Sequence, residues 1–251
     1  MKILVPAIPL ALVATSSLTA AQRFCGQYDL KVVPPYTVYN NLWGQADDSN
    51  GTQCTEVTRI SDESIAWTTD FKWAGSRYQV KSFANAALTF TPVKMSQVAS
   101  MPTVIEYKYE SVDDTLITNV AYDMLLSPHP EGEFTYELMV WLATFGGAAP
   151  LARSYDPMVP VKANVTVAGV NFNLYEGMNG NVTVLTYLAT GSINRFSGNL
   201  QDFVEKLPNP KLLDDQYLVK AETGTEPFQG DAKLIVSKFS LEIIQKPSNA
   251  S

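Results

Sequence analysis

Histidine is nearly absent from this chain. Its 251 residues include one, His129, held between Pro128 and Pro130. No acid or nucleophile is arranged around it, which excludes a Ser-His or Cys-His catalytic pair there. Cysteine is almost as scarce, with only Cys25 and Cys54. With a single histidine, and two cysteines that read as a pair, no metal site is expected. Positive charge is short as well: 18 Lys and Arg against 25 Asp and Glu, for a net charge of −7. That balance argues against a nucleic-acid or anionic-membrane partner. Long apolar runs are missing beyond residue 21, so no transmembrane helix is expected. The apolar stretch 3–13 is too short to span a bilayer. It follows Lys2 and precedes small residues, with Thr19 and Ala21 placed for cleavage before Gln22. Residues 1–21 therefore read as a secretory signal peptide and 22–251 as a single domain of an extracellular protein.

In that compartment Cys25 and Cys54 read as one disulfide. Sequons begin at Asn50, Asn164, Asn181 and Asn249. The first three are expected glycan sites, and the last is too near the terminus to count.

What the chain has in abundance is strand signal. Alternation, or enrichment in β-branched and aromatic residues, marks 36–43, 64–73, 80–90, 103–109, 116–126, 136–144, 161–167, 171–176, 182–189, 216–225 and 232–244. Turn residues separate them, among them 177–180 and 229–231. One helix is expected after Ser197-Gly198-Asn199, with Leu200, Phe203, Val204 and Leu207 on one face before Pro208. The fold class is all-β: a jelly-roll sandwich of two antiparallel sheets, one short α-helix and a concave face able to hold a polymer.

Two glutamates carry the chemistry. In Tyr136-Glu137-Leu138-Met139-Val140-Trp141 the parity puts Glu137, Met139 and Trp141 on one face and Tyr136, Leu138 and Val140 on the other. A carboxylate beside a thioether and an indole is unlike a solvated strand face, and a sugar ring stacks well on such a surface. Glu226 sits in Gly224-Thr225-Glu226-Pro227, where a strand ends. Paired carboxylates across a sugar cleft are the machinery of glycoside hydrolysis. Asp123 shares parity with Asn119 and Ala121, and Asn41 shares parity with Trp43. Glu222 has the parity of Glu226 but no assigned role, and Trp67 and Trp73 read as core or rim.

These segments resemble glycoside hydrolase family 12 over nearly the whole mature chain. The resemblance is carried by Tyr39-Asn40-Asn41-Leu42-Trp43-Gly44, the stretch from Val80 to Asn85, Val120-Ala121-Tyr122-Asp123, the segment from Tyr136 to Leu142, the loop from Phe145 to Pro150, and Gly224 to Phe228. It implies a retaining endo-β-1,4-glucanase without metal or organic cofactor. Glu137 would be the nucleophile, with a low pKa. Glu226 would be the acid/base, with a raised one. Asp123 would hydrogen-bond near the nucleophile, and Asn41, Trp43, Met139 and Trp141 would line the substrate cleft. Tyr28 stands where many relatives carry tryptophan. The small residues Gly146, Gly147, Ala148 and Ala149 leave room beside the main chain, which favours branched xyloglucan over cellulose or mixed-linkage glucan. A non-catalytic glucan-binding role and a role as a host-sensed elicitor stay open. So do plant inhibitor proteins or receptors as partners of a monomer.

Overall fold

A computed structural model of the chain describes residues 23–61 and 63–247. The expected signal peptide and the sequon at Asn249 lie outside them. In chain order the strands are β1 (Arg23–Phe24), β2 (Leu30–Val33), β3 (Tyr36–Tyr39), β4 (Thr52–Ile60), β5 (Ile65–Trp73), β6 (Ala84–Leu88), β7 (Val93–Lys94), β8 (Val98–Ser100), β9 (Pro102–Glu110), β10 (Ile117–Ser127), β11 (Tyr136–Phe145), β12 (Lys162–Val167), β13 (Val170–Asn179), β14 (Val182–Ala189), β15 (Arg195–Asn199), β16 (Tyr217–Thr225), β17 (Pro227–Leu241) and β18 (Ile244–Gln245). One helix, α1 (Gln201–Glu205), lies between β15 and β16.

Apart from β8 and β18, which pair only with each other, the strands form a jelly roll of two sheets. The outer sheet runs β1-β4-β5-β17-β9-β15. The inner sheet runs β2-β3-β6-β16-β10-β11-β14-β13-β12. They join where the start of β10 pairs with the start of β17. The inner sheet departs from the expected antiparallel order once: β11 and β14 pair in parallel. The chain leaves β11, makes the β12–β13 hairpin and returns, which is the long connection a parallel pair requires.

Alternation determines the core. Val120, Tyr122, Met124 and Leu126 of β10, and Leu138, Val140 and Leu142 of β11, turn inward and are buried. They belong to one cluster with Trp67, Ile105 and Phe239 from the outer sheet and Phe203 from the helix. Trp67 meets Phe239 edge-on at 5.7 Å. Each such side chain contributes about 1.5–3 kcal/mol on burial. A one-residue slip of β11 would turn Glu137 into this core, so the burial of its neighbours fixes which way the carboxylate points.

Several boundaries differ from the sequence reading. The strand expected at 36–43 stops at Tyr39, and Asn41 takes a left-handed φ of 48°. The turn expected at 229–231 lies inside β17. Gly230 has φ 110° there, and a Cβ on it would come within 2.6 Å of Leu116 Cα. Ser197 to Asn199 lie in β15 rather than in a helix start. Asn199 still accepts a hydrogen bond from Gln201 N at 3.1 Å as the helix begins. Strand β4 escapes the reading because its Thr, Gln, Glu and Arg residues carry little apolar signal. Cys25 and Cys54 are joined, continuing the β1–β4 pairing by one step. Closing a loop of this length is worth roughly 3–4 kcal/mol in the chain-entropy model.

Candidate active site

The face of the inner sheet turned away from the core carries the polar residues. β10 supplies Asn119, Ala121 and Asp123, and a bulge after Val120 keeps Trp141 opposite Ala121. β11 supplies Glu137, Met139 and Trp141. In the parallel pair, Glu137 lies beside Val184 and Met139 beside Thr186. On the other flank Asp123 faces Glu222 of β16. Over this face runs a cleft of about 660 Å³ whose lining includes Glu137, Met139, Trp141, Thr186 and Glu226. Its walls come from connections: Trp43 after β3, Arg77 and Tyr78 between β5 and β6, and Gly147, Ala148 and Ala149 after β11.

Glu226 is held on both its backbone and its side chain. Asn119 Nδ2 donates to Glu226 Oε2 at 2.6 Å, and Glu226 N donates to Asn119 Oδ1 at 3.0 Å. Beneath it, Thr225 Oγ1 donates to Asn119 O at 2.7 Å and lies 2.6 Å from the Tyr109 hydroxyl. Gly224 is required for this approach, since a Cβ there would come within 2.0 Å of Ala84 O. The wall between β5 and β6 is pinned from below by Lys81, whose side chain is completely buried. Its Nζ sits 2.9 Å from Asp47 Oδ2 and donates to Ser76 O, Gln79 O and Phe228 O at 2.8, 2.7 and 2.7 Å. One cation thus ties the Arg77–Tyr78 wall to the chain two residues beyond Glu226.

Carboxylates crowd this face. Burial pushes Glu226 up to about 7, against the lowering effect of the Asn119 hydrogen bond. Burial, then repulsion from Glu226 and Glu222, pushes Glu137 up to about 7 as well. Asp123 is raised well above the carboxylate range by burial and then by Glu137. The low pKa expected for Glu137 is therefore not found. It shares its strand face with Met139 and Trp141 among like charges, and the hydrogen bond expected of Asp123 near it is not formed: Asp123 Oδ1 is buried without a partner. Glu222 is also raised by burial, although Lys220 Nζ lies 3.7 Å from it.

This crowding has a pH signature. For Glu137 and Glu226 the folded value of about 7 exceeds the ordinary 4.5. Between those values the folded state binds more protons than the unfolded state, so stability rises as pH falls from 7 toward 4.5. Above 7 the full cost of two buried charges is present. The urea midpoint should be higher at pH 5 than at pH 8, and the Glu137→Gln, Glu226→Gln double variant should flatten the difference. A midpoint that rises with pH in this interval would contradict a site dominated by buried, mutually repelling carboxylates.

The structure brings together most of the residues singled out from the sequence. Glu137, Glu226, Met139, Trp141 and Trp43 line the cleft, and Asp123 lies on the same face. Trp141 is buried as its floor, with its ring N–H toward the Met139 sulfur at 3.4 Å. Trp43 is 47% exposed at the rim. Asn41 is not among the lining residues. The chain has left the strand there, so strand parity does not govern its direction, and its carbonyl accepts from Phe83 N at 3.0 Å. Trp67 and Trp73 are core. Tyr28 is exposed and is not among the lining residues either. The sequence reading missed Thr186, Tyr78, Tyr155 and Phe228 in the lining. Parity along 182–189 sets Val184 and Thr186 apart from Leu185 and Tyr187. Tyr78 and Tyr155 lie in connections, where no periodicity helps, and Phe228 is the second residue of β17.

Known proteins are similar to this chain in sequence and fold. The family model described as "Glycosyl hydrolase family 12" matches residues 34–244. The chain is 44% identical over 232 residues to an Aspergillus fumigatus protein named "Probable xyloglucan-specific endo-beta-1,4-glucanase A", covering 92% of this chain and 95% of that one. It is 40% identical over 233 residues to "Xyloglucan-specific endo-beta-1,4-glucanase 1" of Phytophthora nicotianae, with the same coverage. Among solved structures, endoglucanase 3 of Trichoderma harzianum superimposes with a TM-score of 0.81 at 29% identity, covering 90% of this chain and 99% of that one.

Proposed function

Since the chain belongs to glycosyl hydrolase family 12, we propose that this glycoside hydrolase is a secreted, retaining endo-β-1,4-glucanase of xyloglucan, with Glu137 as nucleophile and Glu226 as acid/base. The observation that carries the chemistry is that both glutamates line one cleft, each with a pKa of about 7. Near neutrality one of two such groups can hold a proton while the other is ionised, and a retaining cycle starts from one protonated and one ionised carboxyl group.

In the first step a Glu137 oxygen attacks the anomeric carbon as the glycosidic C–O bond breaks. The leaving O4 takes the proton from Glu226. In the second step Glu226 removes a proton from water, the water oxygen bonds to the anomeric carbon, and the ester to Glu137 breaks. The sugar leaves with its original configuration. Asn119 keeps Glu226 aimed through both steps, and forming the ester removes the Glu137 charge that opposes ionisation of Glu226. Asp123, its carboxyl pushed up by burial and then by Glu137, acts as a positioning residue beside that glutamate. Met139 and Trp141 give the sugar rings an apolar floor, with Trp43 as a stacking surface at the rim.

The relatives' names and the small residues of the loop after β11 support xyloglucan as the glucan. Asn50, Asn164 and Asn181 are all exposed, as glycan acceptors of a secreted protein must be. We place the protein outside the cell as a monomer, open to inhibitor proteins or receptors of the plant. The expected result is a kcat/KM on xyloglucan about tenfold or more above that on carboxymethylcellulose, or about 1.4 kcal/mol of transition-state discrimination. Ala148→Leu should lower the xyloglucan value selectively. Equal values on both polymers would return the protein to an unspecialised endoglucanase.

A further inference from the structure

The main cleft does not end at the loop after β11. A second depression of about 370 Å³ opens beside it and shares Leu151 and Tyr155 as walls. The rest of its lining is Ala152, Arg153, Glu176, Gly177 and Met178. Its volume lies at the lower end of the roughly 300–1,000 Å³ that small-ligand sites span.

The depression is built into the fold. Gly177 of β13 lets the loop lie directly on the strand, since a Cβ there would come within 2.6 Å of Leu151 C and 2.8 Å of Ala152 N. Ala152 N donates to the Tyr155 hydroxyl at 3.3 Å, so the loop orients its own aromatic ring. Arg153 Nη2 and Nε both donate to Glu176 Oε1, at 2.7 and 3.2 Å. The result is a pocket with one phenol ring, an exposed thioether in Met178 and a guanidinium–carboxylate pair at its edge. A pyranose offers matching chemistry: apolar C–H faces for Tyr155 and Met178, and hydroxyls for the free lone pairs of Glu176 and the remaining N–H groups of Arg153.

We infer that this side pocket receives a pendant pentosyl branch of the glucan while the main chain stays in the cleft. The inference rests on the xyloglucan reading and deepens it. A main-chain glucosyl unit has to follow the β-1,4 track over Met139 and Trp141. A depression that joins that track through only two shared walls suits a substituent on the 6-position instead. Gly147, Ala148 and Ala149, which line the cleft, let the branch pass, and the pocket at 151–178 holds it.

The test compares wild type with an Arg153→Ala, Met178→Ala double variant, using kcat/KM on xyloglucan and on carboxymethylcellulose. Both side chains are exposed and carry no core packing, and an unchanged Tm checks the fold. The expected result is a drop of about tenfold on xyloglucan with the unbranched polymer unaffected. Ala152→Trp, which fills the pocket, should give the same selective loss. Equal losses on both polymers would mean that the pocket serves the main chain, and no loss on either that it binds no sugar; each overturns the inference. Failure of the xyloglucan reading would appear separately, as a wild-type enzyme with no preference for the branched polymer.

Discussion

Glu137→Gln should leave a folded protein whose turnover on glucan is lower by about four orders of magnitude or more, the scale seen when an enzyme loses its nucleophile. Glu226→Gln should cost about 10²–10⁴-fold, the usual share of general acid–base catalysis. External azide separates the two roles. With Glu137→Gly, azide can enter from the vacated side and yield the α-glycosyl azide, with inversion. With Glu226→Gly, an activated aryl glycoside still forms the ester to Glu137, and azide then gives the β-glycosyl azide with net retention. Exchanged products would reverse the assignment, and undiminished turnover in both Gln variants would remove it. The two glutamates have similar proton affinities, so their titrations belong to the pair and not to either residue. The pH–rate profile should therefore be a bell in the wild type, and replacing either glutamate should remove one limb and shift the other.

Lys81→Met is the second large expected effect, and it acts on stability. Methionine keeps the length and loses the charge. The carbonyls of Ser76, Gln79 and Phe228 then lose the ammonium as donor, with only Ser76 O keeping the weaker bond from Gln79 N at 3.3 Å, and Asp47 loses its cation. An orphaned buried acceptor costs about 1–3 kcal/mol. A loss of about 3 kcal/mol is expected, seen as a urea midpoint lower by about 1 M at an m value of roughly 3 kcal/mol/M. The Arg77–Tyr78 wall should also loosen, raising KM on polymer more than it lowers kcat. Lys81→Arg, which keeps charge and donors, should recover part of both. An unaltered midpoint would show that the four contacts contribute nothing net.

Much of this site is legible in the chain alone. Period-2 parity separates Glu137, Met139 and Trp141 from the core-facing Leu138 and Val140, because β11 is regular and its core side is continuously apolar. Where regularity fails, so does the reading. Asn41 leaves its strand at a positive φ, and Gly230 makes an irregularity within β17 where a turn is expected. β4 shows mostly polar residues along the outer sheet. The bond from Asn119 to Glu226 spans 107 positions, and no local pattern announces it. The pKa of Glu137 depends on Glu222 and Glu226, which reach it only through the order β16-β10-β11. The parallel pairing of β11 with β14 brings Thr186 to Met139, and strand signals carry no information about direction.

Of the residues proposed for bond cleavage, Glu137 lies in β11, which is paired on both flanks, and Glu226 fills the single position between β16 and β17. The residues proposed for substrate choice lie mostly in the connection from β11 to β12, with Glu176 and Met178 on β13. Inserting one residue into β10 or β11 would reverse every side chain beyond it, whereas the connection can change length and composition without moving a carboxylate. Innovation in this architecture is therefore modular. Exchanging residues 146–155 between relatives should carry polysaccharide preference from one protein to another as a transferable cassette, with the hydrolytic apparatus inherited intact from the recipient.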